Sequence, residues 1–280
     1  MGKVAVVTDS TATLPQDLVQ ELNIRVVPVL LLFGGRALRD GIDVSPGEVY
    51  RWLRTGQEIP TTSVPSVGDF LRVYAAAGRE AAGVLSIHMS PDLSATFSTA
   101  VMASHLVDGV PIHVMNCHTA AIGQGFVALE AARAAVSGAG LEEVIARAEE
   151  VAAKVNLLFI IGTLEYLHRG GRIGGAARLL GTMLQIKPVL YLDEGRVEVF
   201  ANPRTKARAI QLMLRAMTDR VGCRPIHAAI FHADVLDEAE ALRQRVAEQF
   251  DCLELYVTEF TPVMGAHTGP GVLGVAFYTD

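Results

Sequence analysis

The feature that most constrains the fold is an alternation along the 280-residue chain of short apolar, β-branched runs with amphipathic helical stretches. Residues 3–8, 83–89 and 110–115 are apolar runs of strand length, and helical patterns lie between them. This alternation is typical of α/β folds, in which helices connect neighbouring strands. The first half of the chain is therefore predicted to form a mostly parallel sheet covered by helices.

Helix starts are marked by capping patterns. Ser45-Pro-Gly-Glu48 and Ser66-Val-Gly-Asp69 each place an acidic residue three positions after a serine, which predicts a capping box. Thr13 with Pro15 and Gln16, and Ser90 with Pro91, predict two further helix starts. Residues 24–33 predict one continuous strand, and residues 123–137 and 141–155 predict helices.

The pattern changes after residue 156. Residues 188–192 and 196–200 predict a hairpin around Asp193-Glu194-Gly195, and alternating helices and strands follow it to the C-terminus. A hairpin inside an αβ alternation indicates a mixed sheet. We therefore predict two α/β domains, residues 1–156 with a mostly parallel sheet and residues 157–280 with a mixed sheet.

Composition narrows the function classes. Half of the residues are apolar, which excludes intrinsic disorder, and the net charge of −6 argues against a general nucleic-acid binder. The three cysteines show no paired spacing, so a disulfide framework is not expected. The N-terminus lacks the apolar core of a signal peptide, and no apolar run reaches the roughly 18 residues of a membrane span. A cytoplasmic location is the expectation.

Two glycine-rich segments match the dinucleotide pattern literally. Gly123-Gln-Gly125 lies about seven residues after its strand, where the fingerprint requires a tight turn. Gly269-Pro-Gly271-Val-Leu-Gly274 leaves too little chain for a helix behind it. A nucleotide-dependent enzyme stays open as an alternative. No spacing predicts a metal site.

Hydroxyl-rich segments follow several predicted strands. They are Thr8-Asp9-Ser10-Thr11, the run 61–66 and the run 90–96, and each contains more hydroxyls than a helix cap uses. In open α/β sheets ligands bind beyond the carboxyl ends of strands. Neutral hydroxyls beside helix N-termini suit a monovalent anion such as a carboxylate.

The remaining candidate site residues are basic residues and one histidine. Arg204-Thr-Lys206 begins a helix, where cations oppose the helix dipole, which points to an external anionic partner. His267 lies among glycines that let backbone approach closely, and Ser94 is a nucleophile that it could serve. A serine esterase or thioesterase using Ser94 and His267 is therefore a second alternative.

One ordered set of motifs spans residue 2 to the C-terminus. It comprises Thr8-Asp9-Ser10-Thr11, Asp40-Gly-Ile-Asp43, Thr61-Thr62-Ser63-Val-Pro-Ser66, Leu93-Ser94-Ala-Thr96-Phe97, Gly123-Gln-Gly125, Thr163-Leu-Glu-Tyr-Leu-His-Arg-Gly-Gly-Arg-Ile173, Lys187-Pro188, Arg204-Thr-Lys206 and His267-Thr-Gly-Pro-Gly271. In this set the chain resembles the DegV family of bacterial fatty-acid-binding proteins. One departure is Ala95, where the family usually has glycine and where the methyl group is expected to crowd the head-group site slightly.

The resemblance implies a DegV-like fold with one long-chain fatty acid in a tunnel between two α/β domains. It implies that Thr62 and Ser94 bind the carboxyl head, with His267 close by and Ser63 assisting. The tunnel candidates are apolar: Phe97, Ile122, Phe126, Leu164, Leu167, Leu179, Met183 and Leu184.

The resemblance also implies a role in phospholipid synthesis. Family members of the FakB type present the acid to a separate ATP-dependent fatty acid kinase, so no catalytic residue and no cofactor are expected in this chain. Arg172, Arg204 and Lys206, with Arg169 a weaker member, match the family's basic surface for the kinase or the acyl-phosphate. A monomer is expected.

Overall fold

The computed structural model describes residues 3–56, 59–181 and 186–280. Its strands are β1 (Val4–Asp9), β2 (Arg25–Val27), β3 (Leu30–Phe33), β4 (Arg36–Arg39), β5 (Thr61–Ser63), β6 (Gly83–His88), β7 (Ile112–Asn116), β8 (Asn156–Ile160), β9 (Val189–Asp193), β10 (Arg196–Ala201), β11 (Ile226–His232), β12 (Cys252–Glu259) and β13 (Leu273–Tyr278). Its α-helices are α1 (Gln16–Glu21), α2 (Pro46–Arg54), α3 (Val67–Gly78), α4 (Thr96–Ser104), α5 (Ile122–Val136), α6 (Leu141–Lys154), α7 (Glu165–Arg169), α8 (Lys206–Val221), α9 (Leu236–Gln249) and α10 (Pro262–Thr268). Short 3₁₀ segments cover Ser10–Ala12 and Gly174–Leu179.

The strands form three sheets. The first is parallel throughout, in the order β2-β1-β6-β7. The second is mixed, in the order β10-β9-β8-β13-β11-β12, and β11 with β12 is its parallel pair. The third is a small antiparallel sheet in the order β4-β3-β5. The predicted α/β class, with a parallel sheet first and a mixed sheet second, is confirmed.

Helices α5 and α6 lie between the two large sheets. Phe126 on α5 packs against Tyr256 and Tyr278 of the second sheet, and α5 also contacts β1 of the first. This placement explains why α5 is buried along nearly its whole length and has no polar face. Helices α3 and α4 cover the other side of the first sheet, and α8 and α9 cover the other side of the second.

Local signals in the sequence had mixed outcomes. Both capping boxes, at Ser45 and Ser66, are present, and the hairpin turns through Glu194 and Gly195, which both have positive φ as a two-residue hairpin loop requires. The helix start predicted at Thr13 is wrong, because Thr13 has a left-handed conformation and α1 begins at Gln16. The helix start at Ser90 is also wrong, since α4 begins only at Thr96.

The continuous strand predicted for residues 24–33 is wrong as well. Two strands, β2 and β3, occupy this run and belong to different sheets. Pro28 lies between them and has no N–H to continue the ladder with β1. The next N–H, that of Val29, donates to Ser10 Oγ at 3.1 Å, and the chain then turns into the small antiparallel sheet. Among the described residues, no helix is long and apolar enough to cross a membrane.

Candidate functional site

A largely apolar cavity lies at the junction of the three sheets and has about 860 Å³ of empty space, including the open space at its mouth. Most of the lining is apolar: Val29, Val64, Met89, Leu93, Ala120, Ala121, Leu157, Phe159, Leu167, Leu192, Val197, Phe231, Phe260, Val263 and Met264. The remaining lining residues are polar: Thr11, Thr62, Ser63, Ser94, Arg172, His267 and Thr268. We call this the main cavity.

The structure brings all four predicted head-group residues to the main cavity. Thr62 and Ser63 come from β5, Ser94 from the segment before α4, and His267 from α10. No sequence pattern indicates that residue 267 is helical, because α10 has only seven residues. The helix ends at Thr268, and Gly269, whose φ is 71°, follows it. A Cβ on Gly269 would lie 2.2 Å from the Tyr166 ring, so glycine is required there both for conformation and for space.

Among the hydrogen bonds of the described residues, the Thr62–His267 bond is the one that joins two of these four side chains. Thr62 Oγ1 and His267 Nε2 lie 2.7 Å apart, so they share a hydrogen bond whose donor depends on the histidine tautomer. On the other edge of the ring, a Cβ on Gly170 would lie 2.5 Å from His267 Nδ1. Gly170 thus allows the backbone of the Gly- and Arg-rich loop to pack directly against the imidazole.

His267 is uncharged at neutral pH. Burial lowers its pKa from the ordinary value of 6.5 to about 4, and the nearby positive charge of Arg172 acts in the same direction. A neutral imidazole offers one donor and one acceptor. His267 therefore contributes hydrogen bonding, and no charge, to this end of the cavity.

Arg172 is the one charged side chain among the described lining residues. Its Nε donates to the carbonyl oxygen of Leu93 at 2.9 Å, and its Nη1 donates to the carbonyl oxygen of Gly170. These bonds fix the guanidinium beside Ser94 and His267. An anionic group in the cavity would thus find its positive charge at this same end.

Ser94 is oriented by the helix that follows it. Its Oγ accepts a hydrogen bond from the Thr96 N–H at 3.2 Å and lies 2.8 Å from Thr96 Oγ1. Ala95, between them, is exposed with an ordinary φ of −73° and does not line the cavity. The crowding of the head-group site expected from its methyl group is therefore wrong.

Thr11 is a lining residue that sequence reasoning missed as a site. Its N–H donates to Asp9 Oδ1 at 3.0 Å, while Asp9 Oδ2 lies 2.6 Å from His88 Nδ1 in a fully buried pair. Burial raises the pKa of Asp9, but the bonds from His88 and Thr11 outweigh it and the net shift is downward. The hydroxyl-rich segment after β1 was recognised in the sequence, yet nothing there distinguished Thr11 from its neighbours.

The other predicted basic residues lie outside the cavity lining. Arg169 is exposed and pairs with Glu165 at 2.8 Å, and Lys206 pairs with Glu238. Arg204 is exposed and has no ion pair within the described part of the chain. Only Arg172 of this group reaches the main cavity.

Most of the predicted tunnel residues that the structure describes do not line the main cavity. Leu167 lines the main cavity. The residues that do not line it are Phe97, Ile122, Phe126, Leu164 and Leu179. Met183 and Leu184 lie outside the described residues. Apolar character alone could not separate cavity lining from ordinary core, because both bury the same side chains.

The described side chains of the main cavity do not form a catalytic triad. Ser94 bonds to Thr96 and His267 bonds to Thr62, so no described contact joins the serine to the histidine. Within the described ranges no carboxylate hydrogen-bonds to His267 or lines the main cavity. A nucleophile, a base and its orienting acid are thus not assembled.

The glycines of the two dinucleotide-like patterns allow neighbouring atoms to pack closely against the backbone. A Cβ on Gly123 would lie 2.5 Å from Thr119 Oγ1, and one on Gly125 would lie 2.8 Å from the Ala12 carbonyl oxygen. Both glycines lie in the buried first turns of α5, which leaves no room for a pyrophosphate. Gly269 packs on Tyr166 and Gly274 packs on Phe231.

The sequence and the structure of this chain are similar to those of known proteins over nearly its whole length. The model of the DegV family, described as uncharacterised proteins, matches residues 3–280. A DegV domain-containing protein of Streptomyces coelicolor is 39% identical over 274 residues, with 97% of each chain covered. A solved structure described as fatty acid binding of a DegV family protein from Thermus thermophilus is 40% identical, with a TM-score of 0.95 over 99% of this chain and 100% of that one. DegV of Bacillus subtilis, described as a fatty acid binding protein, is 30% identical with a TM-score of 0.92 over both whole chains.

Proposed function

The chain belongs to the DegV family, and from that premise we propose that it binds one long-chain fatty acid in the main cavity. The observation that carries the proposal is the composition of the lining, which is apolar except for hydroxyls, a neutral histidine and one arginine at one end. An apolar tail with a single small anionic head matches that distribution.

Burial of the acyl tail is the main driving force. About fourteen methylenes at roughly 0.8 kcal/mol each give about 11 kcal/mol gross. Loss of translational and chain freedom removes a substantial part of this gain. The remainder still permits tight retention of the acid.

The head group is assigned to the polar end. Thr62, Ser63 and Ser94 supply hydroxyls, His267 supplies a neutral ring nitrogen, and Arg172 supplies the positive charge that a buried carboxylate requires. The carboxyl group would then compete with the Thr62–His267 hydrogen bond. That competition makes this pair the part of the site most sensitive to occupancy.

The protein is proposed to present its ligand rather than to react with it. A separate ATP-dependent fatty acid kinase would supply the catalytic groups for phosphoryl transfer to the carboxylate, for use in phospholipid synthesis. Arg204 is exposed and has no ion pair among the residues that the structure describes, which supports its role as a partner contact. Lys206 and Arg169 are weaker candidates, because Glu238 and Glu165 already neutralise them.

The domain division at residues 1–156 and 157–280 is part of this proposal. All strands of the mixed sheet lie after residue 155, and those of the other two sheets lie before it. Lining residues come from both parts, for example Thr62 and His267. The fatty acid would thus lie between two units that each contribute a sheet.

Native mass spectrometry of the protein expressed in a bacterium and purified without detergent tests the binding proposal. We expect a native mass excess equal to one fatty acid, which disappears on denaturation. A protein that is purified empty and also fails to bind added fatty acid would overturn it.

The kinase step is tested separately with lipid-loaded protein and a bacterial fatty acid kinase. Arg204→Ala should retain the lipid but slow acyl-phosphate formation, whereas Arg215→Ala, an exposed arginine paired with Asp219 on α8, should not. Equal rates for the two variants would remove Arg204 from the partner surface.

A further inference from the structure

A second cavity lies behind the start of α10 and shares no described lining residue with the main cavity. It has about 1330 Å³ of empty space including its open mouth, and several separate segments line it. They include the stretch after β1, the turn at Asp40-Gly41-Ile42, and the junction of β12 with α10. We call it the Asp40 cavity.

Four oxygen atoms of residues that line this cavity make no hydrogen bond of good geometry with the described residues. They are Thr13 Oγ1, Asp40 Oδ2, Thr258 Oγ1 and Thr261 Oγ1, and all four residues line the Asp40 cavity. Asp40 is only 2% exposed, and Thr13 and Thr258 are buried almost as fully. Buried polar atoms are nearly always satisfied in folded proteins, so a cluster of four requires an explanation.

The charge at this place is also uncompensated. Asp40 Oδ1 accepts a hydrogen bond from the Val263 N–H at 2.9 Å, but in the described ranges no cationic side chain pairs with Asp40 or with Glu259. Burial raises the pKa of both carboxyls, and the hydroxyls of Ser10 and Thr261 lie close enough to offset part of the rise at Asp40.

Asp40 and Glu259 both line the Asp40 cavity, and Tyr50 lies next to Glu259 because its hydroxyl donates to the Phe260 carbonyl oxygen at 3.3 Å. Burial raises the pKa of the Tyr50 hydroxyl, and the negative charges of Glu259 and Asp40 add to that rise. Two carboxylates, three hydroxyls and no amine or guanidinium form an all-oxygen set. Such a set favours hard cations and not the nitrogen- or sulfur-seeking transition metals.

We propose that the Asp40 cavity binds a hard divalent cation of the calcium class, with Asp40 and Glu259 supplying the charge and Thr13, Thr258 and Thr261 supplying hydroxyl oxygens. Water completes the six to eight oxygens that Ca²⁺ takes. The cation would join three segments distant in sequence. Because Asp40 also holds the first turn of α10 through Val263, binding would stiffen the helix that carries His267.

A thermal and a luminescence experiment test the site on the full chain after treatment with a chelator. Calcium at about 10 mM should raise the Tm by about 2 °C or more beyond KCl at the same ionic strength. Terbium, a calcium probe excited through tyrosine, should luminesce because Tyr50 is close by, and calcium should quench the signal by displacing it.

Variants decide whether the signal comes from this cavity. Asp40→Asn and Glu259→Gln should each weaken terbium binding by about tenfold, and Glu259 is exposed, so its variant should fold even where Asp40→Asn does not. Asp43→Asn, on the same turn but exposed and paired with Arg39, should bind like the unaltered protein. Equal Tm shifts in calcium and KCl, or terbium binding unaffected by Glu259→Gln, would overturn the proposal and leave a cavity that holds only ordered water.

Discussion

At the residue scale, the Thr62–His267 pair carries most of the specificity expected at the polar end of the main cavity. The two residues are 205 positions apart, and their contact depends on the packing of α10 against the small antiparallel sheet. The hydroxyl-rich motif identified Thr62 in the sequence. No local pattern could reveal its partner, because the pairing exists only after the chain has folded.

Removal of either head-group hydroxyl should weaken fatty-acid binding. Thr62→Val keeps the side-chain shape and Ser94→Ala removes one oxygen, so each should raise the Kd by about 2- to 10-fold through one lost hydrogen bond. Displacement of a fluorescent fatty acid measures the effect. Ser98→Ala, at an exposed position on α4, is the control. Binding by both site variants as tight as that of the control would remove these hydroxyls from the head-group site.

His267 should make stability depend on pH in acid. Its folded pKa of about 4 lies below the ordinary 6.5, so between these values the unfolded chain takes up a proton that the folded protein refuses. The free energy of unfolding should therefore fall as the pH drops from 6.5 to 4, by up to about 3 kcal/mol. Above and below that window His267 should add no further pH dependence to the free energy of unfolding.

His267→Gln isolates this contribution, because glutamine keeps a polar contact toward Thr62 but does not titrate. Urea denaturation at several pH values should give a flatter profile for the variant between pH 6.5 and 4. Parallel profiles for the two proteins would show that the imidazole is not desolvated.

At the scale of the element, sequence signals succeeded where short-range chemistry determines the structure. The capping boxes at Ser45 and Ser66 and the Glu194-Gly195 hairpin are satisfied within four residues, so the local pattern was sufficient. The continuous strand predicted for residues 24–33 was wrong because the prediction followed the apolar run and did not treat Pro28 as a break in the strand. Helices α7 and α10 are shorter than the pattern needed for recognition and are stabilised by their neighbours.

The first turn of α5 offers an element-scale test. Gly125→Ala would place its Cβ 2.8 Å from the Ala12 carbonyl oxygen, and backbone cannot yield as a side chain can. We expect a loss of about 1–2 kcal/mol in the free energy of unfolding, since overpacking outweighs the better helix propensity of alanine. Gly47→Ala on α2 has open space around it and should be neutral or slightly stabilising. Equal effects of the two changes would contradict the tight contact.

At the scale of the whole molecule, the parts before and after residue 156 share one core. A single cluster of buried apolar residues runs from Val4 to Tyr278. At its edge Arg133 on α5 bridges Glu130 and Glu254 at 2.6 Å, and Arg147 on α6 bridges Glu130 and Asp280. Replacement of one partner in such a partly buried network leaves the others unpaired, so the network holds the two parts in register.

This shared core predicts that the protein unfolds in one calorimetric transition and that a bound fatty acid shifts the transition as a whole. At a free concentration of about 100 times its Kd, the ligand should stabilise the folded state by about 2.7 kcal/mol and raise the Tm by about 5–10 °C. The shift should shrink in the Thr62→Val Ser94→Ala double variant, which binds more weakly. Two transitions, of which the fatty acid raises only one, would mean that the ligand contacts a single unit. Because main-cavity residues come from both sides of residue 156, we expect a single transition that the fatty acid raises as a whole.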